Sequence, residues 1–342
     1  MSWQNQLKGD PLSWLLEPDS PGVRYLALRD LLDRPTDDVR QEVAKLSAAR
    51  KAAHTEGPIA TILVEMNAAG YWARPGPGYN HNYRSTVWSM IMLAQLGASV
   101  MEDERIARAC DYLLNYNLAP SGQFSTSKAP SGTVDCLQGN LCWALTEMGC
   151  ADPRLDLAFE WMARSVTGEG IAPIEDKKAA VRYYAYKCGP NFACGVNNQL
   201  PCGWGAAKVM LAFSSLPASR RTPLVENAIK MGIAFLFSTD PAKADYPTRL
   251  NDKPSRNWWK FGFPVFYVTD LLQIVEALVG LGLGNDPRLA NALAIVREKQ
   301  DALGRWLLEY DYTGKTWVDF GTKKQPNKWV TLRALRVIKA VA

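Results

Sequence analysis

Four cysteines, Cys136, Cys188, Cys194 and Cys202, have the type and spacing that most readily suggest chemistry. Three of them fall in one stretch, CGPNFACGVNNQLPC, and the fourth stands in the preceding helical segment, at DCLQGN. Thiolates close to helix N-termini have lowered pKa values and suit Zn²⁺. The set is therefore expected to hold zinc. Four bound thiolates would make a closed structural site, and three would leave a position open to water or substrate. The C-x5-C-x7-C spacing matches no standard zinc ribbon, so the competing reading is a set of free, partly buried thiols. That second reading also suits Cys110, Cys142 and Cys150.

A second group offers proton chemistry. Asp135, Asp270 and Asn327 sit at or beside predicted helix starts, where capping a backbone N–H explains most of them. Asp270 is the preferred general acid or base, because Thr269 could supply the cap in its place. Asp135 is the next carboxylate, and His81 in HNYRS is a further acid–base group, with a surface loop as its alternative. Tyr83, Arg84, Trp259, Lys260 and Lys328 are expected to contact substrate. Arg84, Lys260 and Lys328 would form a basic collar for phosphate, sulfate or diphosphate, unless they are solvated charges. Glu309, Asp311 and Asp319 add carboxylates near the same rim.

These residues must be positioned by a segment shape that recurs about five times: an amphipathic helix, a turn built on Gly, a loop, then a more apolar helix. The closing helices are Ser85 to Gly97, Cys136 to Gly149, Gly203 to Leu216, Thr269 to Gly282 and Lys328 to Val341. Pro21 to Asp33 resembles the last of these and would be a sixth inner helix that closes a ring. Polar-faced partners are expected at Ile59 to Ala68, Asp103 to Asn115, Asp152 to Arg164, Pro223 to Phe237 and Asp286 to Lys299, with a further polar helix at Asp37 to Lys51. Helix pairs of this kind cannot bury their apolar faces alone, so they stack or close on themselves. The expected fold is all-α, an α/α toroid of the α6/α6 barrel type. One domain would span residues 1–342, with 1–57 closing the ring and 58–342 carrying five helix pairs. Long loops at Trp72 to Arg84, Glu169 to Cys202 and Ser238 to Val268 all lead into inner-helix starts, so a site is expected at that mouth.

KQDALGRW (Lys299 to Trp306) resembles the Gln-x3-Gly-x-Trp element of the terpenoid cyclase and protein prenyltransferase superfamily, with weaker echoes at SGQF (Ser121 to Phe124) and AGYW (Ala69 to Trp72). The resemblance implies an α/α toroid and an isoprenoid-type substrate. Departures are plain. No Asp-x-Asp-Asp run exists, and the Asp37-Asp38 pair lacks the following Asp of a class I cyclase. Asp135-Cys136 echoes part of a prenyltransferase zinc site, but both histidines, His54 and His81, lie upstream.

Composition narrows the classes further. Apolar residues make up 47% of the 342, enough for a large core, and twelve Trp and thirteen Tyr suggest an aromatic-lined cavity. A net charge of +5 without a basic cluster argues against nucleic acid. No apolar run is long enough for a membrane span, and no secretion signal is visible, so a reducing cytoplasm is expected. Three functions fit these features. The leading expectation is a zinc-dependent hydrolase of an anionic or activated ester of a hydrophobic small molecule. The others are an isoprenoid transferase or cyclase-like enzyme, and a non-catalytic ring that binds a small molecule or protein around a structural zinc.

Overall fold

Segments that are apolar on all sides end up in the middle, and segments with one apolar stripe end up outside. The computed structural model describes residues 2–32, 39–172, 176, 178, 187–249 and 253–342. Its α-helices are α1 (Pro11–Leu15), α2 (Pro21–Asp30), α3 (Val39–Thr55), α4 (Gly57–Val64), α5 (Thr86–Gln95), α6 (Glu104–Tyr116), α7 (Asp135–Glu147), α8 (Arg154–Thr167), α9 (Gly203–Ser215), α10 (Pro223–Leu236), α11 (Leu271–Gly280), α12 (Ala290–Glu298) and α13 (Lys328–Ala340). Among the described residues, short 3-10 turns and isolated β-bridges accompany them. The Asp37-Asp38 pair lies outside the described residues.

In α5 every residue from Thr86 to Ala94 is buried. In α6 the buried residues Ile106, Ala109, Cys110 and Leu113 form one stripe, while the Asp103 carboxylate accepts from the Arg105 N–H to cap the start. The first is an inner helix and the second an outer one. Helices α5, α7, α9, α11, α13 and α2 pack side by side in that order. Closure comes from α2, whose Leu26 and Tyr25 press against Gly97 just beyond α5. Helices α3, α4, α6, α8, α10 and α12 pack outside them. Among the described residues the barrel is thus all-α with six inner and six outer helices, and Pro21–Asp30 is the sixth inner member.

One turn recurs at the joints. Gly70, Gly122 and Gly304 take positive φ (96°, 94° and 75°), and each is followed two residues later by an aromatic ring, at Trp72, Phe124 and Trp306. The backbone N–H of each ring residue donates to an inner-helix side chain: Trp72 to Thr86 Oγ1 (3.2 Å), Phe124 to Gln138 Oε1 (2.7 Å) and Trp306 to Thr331 Oγ1 (2.9 Å). The indoles of Trp72 and Trp306 also donate to carbonyls of the preceding outer helices, at Ile62 and Val296. Gln300 binds residues near the other chain end, donating to the Gln6 carbonyl and accepting from the Lys8 N–H. The motif therefore locks outer helix to inner helix, and at Gln300 it locks the ring shut.

Candidate active site at the C-terminal mouth of the inner helices

Among the described residues, the loops before α5, α11 and α13 bring Tyr79, Tyr83, Phe266, Tyr267 and Tyr312 into one aromatic cluster with Trp88 of α5. Tyr83 stacks on Phe266 at 5.0 Å and meets Tyr312 edge-on at 4.4 Å. A cavity of about 340 Å³ lies in the other half of the barrel. Its rim consists of last-turn residues of inner helices, including Asp30, Gln95, Glu147, Gly280 and Ala340. Its walls include Leu26, Trp143, Phe263, Val265, Trp329 and Leu332. That volume is at the lower end of the range for small-molecule sites. The loop-bearing end, where the sequence places a site, carries a surface cleft of its own, lined by Tyr79, Thr126, Val134 and Val196 among others.

Charge enters this cavity from α2, α7, α11 and α13, through Arg29, Asp30, Glu147, Glu276, Arg333 and Arg336. All five guanidinium N–H groups of Arg333 are used. Nη1 and Nη2 pair with the two oxygens of Asp270 (2.9 and 3.0 Å), Nε and Nη2 pair with those of Glu276 (2.9 and 2.8 Å), and Nη1 also donates to the Gly262 carbonyl (2.8 Å). The two carboxylates respond differently. Arg333, with the Gln273 and Gly262 N–H groups, overcomes burial and holds Asp270 below the usual carboxylate range. Burial wins at Glu276 and raises it, even against Arg333. Glu276 lines the cavity, so a protonatable carboxyl faces its interior. Nearby, the buried Lys208 ammonium donates to Gln273 Oε1, and burial brings it down to about 7. At the rim Arg29 and Arg336 both pair with Asp30 (2.5 and 2.7 Å).

The residues singled out in the sequence are largely elsewhere. Asp270 is in the network, but as the cap of α11, where its Oδ1 accepts from the Gln273 N–H at 2.8 Å. The hydroxyl of buried Thr269, the expected cap, makes no hydrogen bond. Asn327 caps α13 through the N–H groups of Trp329 and Val330. His81 is exposed on a loop with positive φ, outside the cavity. Tyr83 belongs to the aromatic cluster. Trp259 donates its indole N–H to the Ala242 carbonyl. The three cations of the expected collar are tied down separately. Arg84 donates to the Thr316 and Gly314 carbonyls, Lys260 reaches Asn257, and Lys328 pairs with Glu17 and Asp19 over the Trp14 ring. Glu309 pairs with Lys299 and Asp311 with Lys323, while Asp319 accepts from the Gly314 N–H.

Asp135 is the first residue of α7 and does not cap it. Its carboxyl is buried with Oδ2 unbonded, and burial, with Cys194 nearby, raises it well above the carboxylate range. The expected cysteines gather in the same neighbourhood. Cys194 and Cys202 lie close enough to influence each other's titration, burial pushes Cys188 up, and burial pushes Cys136 up to about 12. Among the described residues, no group of three or more His, Cys, Asp or Glu is arranged to hold a metal ion. The fold brings the thiols near one another without forming a ligand set, and the zinc reading gains no support from it.

Glu276, Arg333, Lys208 and Glu147 were not among the sequence candidates. A signal existed: each is a charge within an inner helix, most plainly Glu276 as the one charge in TDLLQIVEALVG between Asp270 and the helix end. A charge with no polar face to occupy must be buried with a partner or at a site.

No family model and no curated protein matches the sequence. Among solved structures, the chain is similar to the type II terpene cyclase MstE from Scytonema in its apo form. The identity is 14% and the TM-score 0.32, over 86% of this chain and 98% of that one. It is also similar to a variant of that cyclase in complex with geranylgeranyl dihydroxybenzoate, its substrate. There the identity is 13% and the TM-score 0.32, over 89% and 98% of the two chains. A likeness this loose adds nothing to the barrel assignment, which rests on the chain's own helix pairing. Among the described residues no helix is long and apolar enough to cross a membrane.

Proposed function

We propose that this protein is a cyclase-like enzyme that admits a hydrophobic, isoprenoid-type molecule through the C-terminal mouth of its inner helices and acts on it by proton transfer. The observation that supports this most is the position of Glu276: a carboxyl raised by burial, oriented by Arg333, on the wall of a cavity lined by Trp143, Phe263 and Trp329. A protonated Glu276 gives its proton to a substrate double bond, and the resulting cation returns a proton to the same carboxylate after rearrangement. No co-reactant is consumed. Aromatic faces and the negative ends of inner-helix dipoles at this mouth both favour developing positive charge. The resemblance at Gln300 to Trp306 implies the same substrate class. Asp270 serves as a positioning residue through Arg333.

A ring that binds such a molecule without transforming it is the second reading. It is favoured by the internal pairing of the charges on the wall, Arg333 with two carboxylates and Asp30 with two arginines. The zinc-dependent hydrolase has no comparable support. The test is Glu276→Gln assayed against a panel of prenyl alcohols and polyenes, with ligand uptake followed by tryptophan fluorescence. The enzyme reading expects uptake within about threefold of wild type and turnover lower by roughly 10²–10⁴-fold. Uptake without turnover in both proteins selects the binding ring. No uptake by wild type defeats both.

A further inference from the structure

The Cys194–Cys202 pair lies outside the barrel cavity and is used by none of the chemistry above. Ala193 and Pro201 form an antiparallel bridge, flanked by the Cys194 N–H donating to the Leu200 carbonyl (3.1 Å) and the Cys202 N–H donating to the Phe192 carbonyl (2.9 Å). Residues one step beyond a bridged pair on each strand share a face, so both cysteine side chains project from the same side. There each thiol is near enough to shift the other's titration. Both residues are half-buried, and the neighbouring Gly195 and Val196 line a surface cleft with Tyr79 and Asn80. The Asn197 side chain fixes the turn by donating to the carbonyls of Pro201 and Pro247.

We propose that Cys194 and Cys202 form a reactive dithiol, a modification site that exchanges with low-molecular-weight disulfides entering from this cleft. Cys194 is the attacking sulfur. It adjoins Gly195 and Val196 in the wall of the cleft, whereas Cys202 stands at the N-terminal boundary of α9. The Cys194 thiolate attacks one sulfur of the small disulfide, forming a mixed disulfide and releasing one small thiolate. Cys202 loses its proton and attacks Cys194, releasing the second. Two protein thiols are oxidised to one disulfide, and one small disulfide is reduced to two thiols. The second pair of neighbouring thiols, Cys110 with Cys150, has the more deeply buried member in Cys110 and serves as an internal comparison.

The test treats the folded protein with glutathione disulfide at neutral pH, alkylates the remaining thiols after denaturation and maps the peptides by mass. The expected product is a Cys194–Cys202 disulfide, two hydrogens lighter, reversed by dithiothreitol and formed at least tenfold faster than any Cys110–Cys150 product. Cys202→Ser is expected to stop at glutathione attached to Cys194, and Cys194→Ser to remain unmodified at Cys202. If Cys202→Ser does not fold, timed alkylation of the native wild type substitutes, with Cys194 expected to react first. A wild type whose pair stays reduced, or alkylation that favours other cysteines, would overturn the proposal.

Discussion

A guanidinium with every N–H bonded is a fixed object, and Arg333 is fixed between two carboxylates that it treats unequally. Removing one member of a buried ionic group costs more than removing the whole group. Arg333→Met is therefore expected to lower stability by about 3–5 kcal/mol in denaturant titration. The triple change with Asp270→Asn and Glu276→Gln is expected to recover more than half of that loss. Lys208 has the opposite character. Its folded pKa, about 7, lies below its ordinary 10.5, so the native state disfavours the ammonium. The resulting cost is absent above about pH 10.5, grows as pH falls and is complete below about 7. Lys208→Met should then be more stable than wild type at neutral pH, by about 1–4 kcal/mol, with the difference closing toward alkaline pH. Equal stability of the two proteins at neutral pH would refute that assignment. Glu276 supplies a rate prediction: as an acid raised by burial, it should give a turnover that falls as pH rises through its pKa, a limb missing from Glu276→Gln.

Between helices, the decisive contacts are small. A Cβ placed on Gly139 would stand 2.5 Å from the Lys208 backbone, so α7 and α9 meet main chain to main chain. Gly139→Ala must separate them and is expected to cost about 1–3 kcal/mol, seen as a lowered melting temperature. At the joints, Thr331→Val leaves the buried Trp306 N–H without its acceptor and should cost about 1–3 kcal/mol. This level was the most legible in the sequence. The Gly-x-aromatic turns announced the joints, continuous apolarity marked the inner helices, and Asp103 announced an outer one. The ionic network was not legible, because Glu276 and Arg333 lie 57 positions apart and meet only when α11 packs on α13. Asp270 was found for the wrong reason. Its local position beside Thr269 suggested freedom from capping, yet its carboxyl both caps α11 and pairs with Arg333.

At the scale of the whole barrel, the proposed function uses the mouth opposite the one that loop length suggests. Tyr79, Tyr83, Phe266, Tyr267 and Tyr312 pack together at the loop-bearing end, beside a cleft that includes Thr126 and Val196. The opposite mouth, closed by short turns, retains the cavity and its carboxyl. The most direct measurement is calorimetric titration of a short prenyl alcohol into wild type and two correctly folded variants, Val279→Phe in the cavity wall and Thr126→Phe in the cleft at the loop-bearing end. The expected result is binding by wild type and Thr126→Phe, with affinity lost at least tenfold in Val279→Phe. Binding that survives Val279→Phe and fails in Thr126→Phe would place the site at the other mouth and contradict the account.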